Sequence, residues 1–121
     1  MMARVLLAGY IAELLHERER LLRAAGYQVT VGQSWATATT SIEQELFDVA
    51  VLDFSIPEEE RNQMALALKQ KNSSIKIIML YFSSIKNTEL ADALMPTSAA
   101  AQEIVRAVNH MLSGIDRSKP A

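Results

Sequence analysis

Residues 47–60, FDVAVLDFSIPEEE, form an apolar run that ends on a carboxylate, Asp53, and continues into Pro57 and three glutamates. Val49–Leu52 is apolar without alternation, which is typical of a strand covered on both faces in a parallel sheet. In such sheets ligands bind beyond the carboxyl ends of the strands. The stretch therefore predicts a buried central strand with Asp53 at the functional edge of the sheet.

Short apolar runs alternate with helical patterns along the whole chain. The predicted strands are Arg4–Leu7, Gln28–Val31, Val49–Leu52, Ile75–Leu80 and Ala93–Met95. The predicted helices are Ile11–Ala25, Thr37–Glu45, Glu59–Lys71, Ser84–Leu90 and Ser98–Leu112. Gly26 is a helix stop signal after the first helix, and Ser98 is a candidate cap for the last. This alternation within 121 residues predicts one doubly wound α/β domain with right-handed crossovers.

Composition excludes several classes of protein. Half of the residues are hydrophobic and 21% are charged, as in globular domains, and there is no cysteine for a disulfide or a thiolate site. The net charge of −2 argues against a DNA-binding face. The N-terminal stretch does not resemble a signal peptide, and no run is long enough to cross a bilayer. We therefore expect a cytoplasmic protein without direct nucleic-acid or membrane contacts.

The common catalytic motifs are missing. Gly9 follows the first strand without the further glycines of a dinucleotide fingerprint, and there is no phosphate-binding P-loop or nucleophile elbow. His16 and His110 lie on predicted helices and are expected at the surface. The charged run HERER, residues 16–20, is expected to be mostly a solvated helix face, with Glu19 and Arg23 paired at i,i+4. These observations indicate that the chain is not an enzyme.

Four segments together resemble the receiver domain of bacterial response regulators. They are RVLLAGYIAELLHERERLLRAAGYQV (4–29), FDVAVLDFSIP (47–57), IKIIMLYFSS (75–84) and ADALMPTS (91–98), and the similarity extends over residues 4–112. The resemblance implies a flavodoxin-like fold: a doubly wound, five-stranded parallel sheet in the order 2-1-3-4-5 with five helices. We expect the receiver-like domain at 1–114, and a disordered tail or the start of a linker at 115–121.

The resemblance also assigns site residues. Asp53 matches the aspartate that accepts a phosphoryl group from a histidine kinase. Gly9 and Tyr10 stand where the family has an acidic pair that holds Mg²⁺. Tyr81 replaces the Thr or Ser at the end of the fourth strand, and Thr97 replaces a lysine. Among these matched positions, only Asp53 keeps the residue type of the family.

These replacements remove the groups on which Mg²⁺ binding depends. Mg²⁺ requires near-octahedral oxygen ligation, so a single carboxylate is a poor site for it. Without the metal and the lysine, the charge that develops during phosphoryl transfer is not neutralised. Glu58, Glu59 and Glu60 are either substitute ligands or acids favoured in the first turn of a helix. We expect no cofactor and no metal site, with Mg²⁺ bound only if the chain is a conventional receiver.

Several hypotheses remain open from the sequence. The Asp53 carboxylate either accepts backbone N–H bonds from the following loop or is phosphorylated slowly. The first functional hypothesis is an atypical two-component receiver module that acts through a histidine kinase or output protein without Mg²⁺-dependent phosphorylation. The alternatives are a conventional receiver phosphorylated at Asp53, and a small flavodoxin-like ligand-binding protein or enzyme. Contacts with a protein partner or a second copy of the chain are expected through the fourth helix, fifth strand and fifth helix, where Ala99, Ala100 and Ala101 allow close approach.

Overall fold

The computed structural model describes residues 2–83 and 88–117. Its five strands are β1 (Arg4–Ala8), β2 (Gln28–Gly32), β3 (Val49–Leu52), β4 (Lys76–Tyr81) and β5 (Ala93–Pro96). The helices are α1 (Ala12–Ala24), α2 (Trp35–Gln44), α3 (Glu58–Lys71) and α4 (Ala101–Arg117). Each strand lies within one residue of its predicted limits, because buried apolar runs mark strands of a parallel sheet clearly.

All neighbouring strands are parallel, and their order is β2-β1-β3-β4-β5, which confirms the predicted topology. Ala8 at the end of β1 is in register with Leu52 at the end of β3. The carboxyl ends of the two central strands therefore meet at one edge of the sheet. The strand order reverses between β1 and β3, and this switch point is where ligands bind in doubly wound proteins.

Alternate residues of the central strands face two separate cores. Leu6 and Ala50 belong to the core under α2 and α3, whereas Leu7 and Val51 belong to the core under α1 and α4. Every residue of β3 is buried between the two cores, which explains why the strand is apolar at every position. The sheet is therefore covered on both faces, as its sequence predicts.

Local signals account for two helix ends. The N–H of Tyr27 donates to the carbonyl of Leu22, and the N–H of Gly26 donates to the carbonyl of Arg23. Together with the φ of 99° at Gly26, these bonds form a Schellman motif, in which only glycine avoids a steric penalty. At α2 the prediction began too late, because Ser34 and Thr37 form a capping box that starts the helix at Trp35.

The prediction of five helices is corrected, since the described residues contain four. Residues 88–90 of the predicted helix Ser84–Leu90 are non-helical, and residues 84–87 lie outside the described residues. Ser98 lies in a turn and does not begin the last helix. The helix starts at Ala101, where the Glu103 carboxylate accepts the N–H of Ala100 at 2.9 Å. The domain limits 1–114 and 115–121 remain predictions.

Among residues 2–83 and 88–117, no helix has the length and apolar character that a membrane span requires.

Candidate functional site

Asp53 lies in the crevice between the ends of β1 and β3. Its N–H donates to the Ala8 carbonyl at 2.9 Å, so the strand pairing extends to this residue, and its carbonyl accepts the N–H of Ile56 at 3.1 Å. The residue is 0% exposed. A carboxylate so far from water requires partners that compensate for lost hydration.

The main partner is Arg18 of α1. Its Nη1 forms an ion pair with Asp53 Oδ1 at 2.9 Å, and its Nη2 donates to the Thr97 carbonyl at 3.1 Å. Arg18 is only 4% exposed, so the expectation that residues 16–20 form a solvated face is wrong at this position. Leu15 and Leu22 lie three residues before and four residues after it, on the same buried face of α1. That spacing was the one signal in the sequence that could have identified Arg18.

Ser55 and Thr97 complete the shell around the carboxylate. Thr97 Oγ1 donates to Oδ1 at 3.1 Å, and Oδ2 accepts the Ser55 hydroxyl at 2.8 Å and the Ser55 N–H at 3.2 Å. The expected bond from the loop backbone is therefore present, but side chains supply the other contacts. Both carboxylate oxygens of Asp53 are engaged.

Such a cluster is stable only as a unit. Desolvating two charges costs several kcal/mol for each ion, and their attraction offsets this cost only when additional hydrogen bonds complete the geometry. Here each oxygen of Asp53 has at least two donors, counting Arg18, Thr97 and Ser55. Removing Arg18 would leave the Asp53 charge uncompensated, and removing Ser55 or Thr97 would leave a carboxylate oxygen with fewer donors.

Close packing against the Asp53 pocket explains why residue 9 is a glycine. A Cβ at Gly9 would lie 2.9 Å from Asp53 Cβ and 3.0 Å from Leu15 Cδ2, distances shorter than normal carbon contacts. The position that matches the first acidic residue of the family therefore has no room for a side chain without rearrangement.

Tyr10 is directed toward α3. Its N–H donates to Ser55 Oγ at 2.8 Å, its ring packs against the α2–α3 core, and its hydroxyl donates to Glu60 Oε1 at 2.6 Å. Burial and the Glu60 carboxylate raise the pKa of Tyr10 well above its usual range. Tyr10 is therefore part of the contact with α3, and Glu60 is held by its hydroxyl.

The side chains at the matched positions do not fit a Mg²⁺ ion. Within the described stretches, no group of three or more His, Asp or Glu side chains could hold a metal. The cation beside Asp53 is the tethered guanidinium of Arg18. Glu58, Glu59 and Glu60 form the first turn of α3.

A second feature lies at the same edge of the sheet, beyond β3 and β4. A cavity of about 260 Å³ is lined by residues that include Phe54, Ile56, Glu58, Arg61, Tyr81 and Phe82. Tyr81, matched to the family Thr or Ser, thus faces this cavity. Arg61 is 5% exposed; its Nη1 donates to the Ile56 carbonyl at 3.2 Å. Its buried Nε has no hydrogen-bond partner in the described part of the chain.

The fold and the acidic crevice define a class, the doubly wound α/β proteins of flavodoxin-like topology. No protein-family model matches the chain, and no curated protein matches its sequence. Solved structures do match, and they include response regulator receiver domains.

A CheY-like receiver domain protein from Methanospirillum hungatei JF-1 has a TM-score of 0.85 at 19% identity, covering 98% of this chain and 100% of that one. The response regulator TrrA from Thermotoga maritima, solved with Mg²⁺ and BeF, has a TM-score of 0.77 at 21% identity, covering 91% and 99%. A receiver domain protein from Clostridium thermocellum has a TM-score of 0.79 at 18% identity, covering 98% and 100%. At these identities the likeness establishes the fold: the chain has the fold of receiver domains.

Proposed function

We propose that the chain is an atypical receiver module of two-component signalling, which acts through protein contacts without Mg²⁺-dependent phosphorylation. The observation that carries the proposal is the Asp53 carboxylate, paired with Arg18 and bonded to Thr97 and Ser55. The receiver fold of the structural neighbours supports the signalling role.

Phosphoryl transfer to Asp53 would require one carboxylate oxygen to leave its present partners. Oδ1 is held by Arg18 and Thr97, and Oδ2 is held by Ser55. Charge stabilisation at the transferred group is the main source of catalysis in this reaction. Arg18 instead stabilises the resting carboxylate, since Nη1 bonds Asp53 and Nη2 bonds the Thr97 carbonyl. The arrangement favours a resting aspartate over a phosphoacceptor.

The test is intact-mass measurement after incubation with an acyl phosphate and Mg²⁺. We expect no phosphoryl adduct on this chain under conditions that label TrrA from Thermotoga maritima, whose structure includes Mg²⁺ and BeF. Asp53→Asn is the matched control. An adduct that appears on the parent and disappears in Asp53→Asn would support the conventional receiver instead.

The proposed contact surface is β5 with α4, facing a histidine kinase, an output protein or a second copy of the chain. β5 is an edge strand, and Leu94 on it is 46% exposed. Leu94→Arg combined with Arg106→Glu should abolish association measured by light scattering or pull-down with a cognate kinase. Unchanged association in the double variant would place the contact elsewhere.

The proposal includes a cytoplasmic location and no direct contact with nucleic acid or membranes. The net charge of −2 supports this part, because nucleic-acid and anionic-membrane surfaces attract basic proteins.

A further inference from the structure

Arg61 carries a permanent charge in a place that offers it incomplete compensation. Its Nη1 is bonded to the Ile56 carbonyl, whereas its buried Nε has no partner in the parts of the chain that the structure describes. Burial lowers the pKa of the Arg61 guanidinium, and the nearby Glu58 carboxylate raises it again in part. An unmade hydrogen bond to a buried charged group is more costly than one to a neutral donor. Nε itself is closed to solvent, so an anion would compensate the charge from the cavity, which other atoms of Arg61 line.

We propose that the cavity beside Arg61 binds a small organic carboxylate, whose oxygens accept hydrogen bonds from the guanidinium. The apolar part of the ligand lies against Phe54 and Phe82 at the cavity wall. Their rings stack with centroids 5.6 Å apart at an interplanar angle of 27°, and Phe82 is 75% exposed. This exposed ring offers apolar surface next to the charge, which suits a molecule that has both an acid and a hydrocarbon part.

The size and charge of the cavity restrict the ligand further. Its volume of about 260 Å³ lies just below the roughly 300–1,000 Å³ of most ligand pockets, so the ligand is small. Glu58 also lines the cavity, and its negative charge disfavours a dianion such as phosphate more than a monoanion. A carboxylate matches the planar guanidinium and carries a single charge.

The site is separate from the Asp53 pocket, although both lie at the carboxyl edge of the sheet. Arg18, Asp53 and Thr97 do not line the cavity. The inference goes beyond the proposed signalling function and makes no use of phosphorylation. Failure of the phosphoryl-transfer test would therefore leave the ligand site untouched, and failure of the ligand test would leave the receiver proposal untouched.

The experiment is an NMR titration of the full chain with benzoate, benzamide and inorganic phosphate. Benzoate should bind saturably and shift the amides of Phe54, Phe82 and Ser83 together with the Arg61 Nε–H signal. Benzamide has the same shape without the charge, and should bind about tenfold more weakly because it loses one charge-assisted hydrogen bond. Phosphate should bind more weakly than benzoate.

Arg61→Gln removes the charge, and because its amide ends where Arg61 has Nε it also gives up the Nη1 bond to the Ile56 carbonyl. It should abolish the preference for benzoate over benzamide, whereas Arg20→Gln, at an exposed arginine of α1, should keep it. Phe82→Ala removes an exposed ring that folding does not require, and should weaken benzoate and benzamide alike. This second variant keeps the test valid if Arg61→Gln fails to fold.

Three results would overturn the proposal. One is the absence of saturable benzoate binding up to the solubility limit. Another is a benzoate preference that survives in Arg61→Gln, or shifts that map around Asp53 instead of Phe82. The third is tighter binding of phosphate than of benzoate, which would contradict the carboxylate class.

Discussion

Two arginines are buried almost equally, Arg18 at 4% exposure and Arg61 at 5%, yet their surroundings differ in kind. Arg18 pairs with Asp53 and also donates to Thr97, and every oxygen of that carboxylate is engaged. Arg61 donates to a single carbonyl and leaves Nε unpartnered within the described residues, beside a cavity. The protein itself supplies the partners of the first charge, whereas the second lies beside the cavity in which we propose that a small carboxylate binds. Burial alone therefore does not reveal whether a charged side chain supports the fold or awaits a ligand.

The largest expected effect comes from breaking the complete pocket. Arg18→Met leaves the Asp53 charge buried without its partner, and removing one member of a buried pair costs about 3–5 kcal/mol. Chemical denaturation should show this loss in the free energy of unfolding. Arg20→Met on the same helix removes only an exposed pair with Glu17 and should leave the midpoint unchanged.

Adding Asp53→Asn to Arg18→Met should recover much of that loss, because the uncompensated charge disappears. If the double variant is as unstable as the sum of the single variants, the two side chains are not coupled and the description of the pocket is wrong.

The tightness of the same pocket is tested by Gly9→Ala. The new Cβ would meet Asp53 Cβ at 2.9 Å, and such overpacking costs about 1–3 kcal/mol. The resemblance to receiver domains places an acidic pair that holds Mg²⁺ at the positions of Gly9 and Tyr10. We now expect the Gly9→Asp, Tyr10→Asp double variant to be less stable than the parent. Millimolar Mg²⁺ should restore little of that stability, because Arg18 remains paired with Asp53. A thermal melt that rises specifically with Mg²⁺ in this variant would contradict that expectation.

Tyr10 connects the Asp53 pocket to α3, since its N–H bonds Ser55 and its hydroxyl bonds Glu60. Tyr10→Phe should cost about 1 kcal/mol for the lost hydroxyl bond. The pKa of Tyr10 is raised in the folded state, so the folded protein holds its proton more tightly than the unfolded chain. Its contribution is fully present below the unfolded pKa near 10 and is lost as pH rises above it. Unfolding followed from neutral to alkaline pH should show this loss in the parent but not in Tyr10→Phe.

The smallest effect is expected at Arg61. Arg61→Gln loses the bond to the Ile56 carbonyl but also removes a buried charge whose Nε has no partner in the described residues, so the two changes offset and stability should change by less than about 1 kcal/mol. A loss as large as that of Arg18→Met would erase the contrast between the two regions. Denaturation of the two variants under identical conditions measures the contrast directly.

The sequence by itself determined the sheet, because buried parallel strands are read from apolar runs and their order follows from the resemblance to receiver domains. It also located the helix stop at Gly26 and placed Asp53 at the carboxyl edge of β3. These features depend on local patterns: periodicity, a residue that tolerates positive φ, and the position of one acid after an apolar run.

Only the tertiary structure decided what surrounds Asp53. Arg18 lies 35 residues before it and Thr97 lies 44 residues after it. Arg18 also belongs to a charged run, residues 16–20, whose pattern by itself predicts an exposed helix face. The unpartnered Nε of Arg61 and the cavity beside it are likewise products of packing between α3 and the ends of two strands. Whether a buried charge is stabilised depends on which distant groups contact it, and those contacts exist only once the chain has folded.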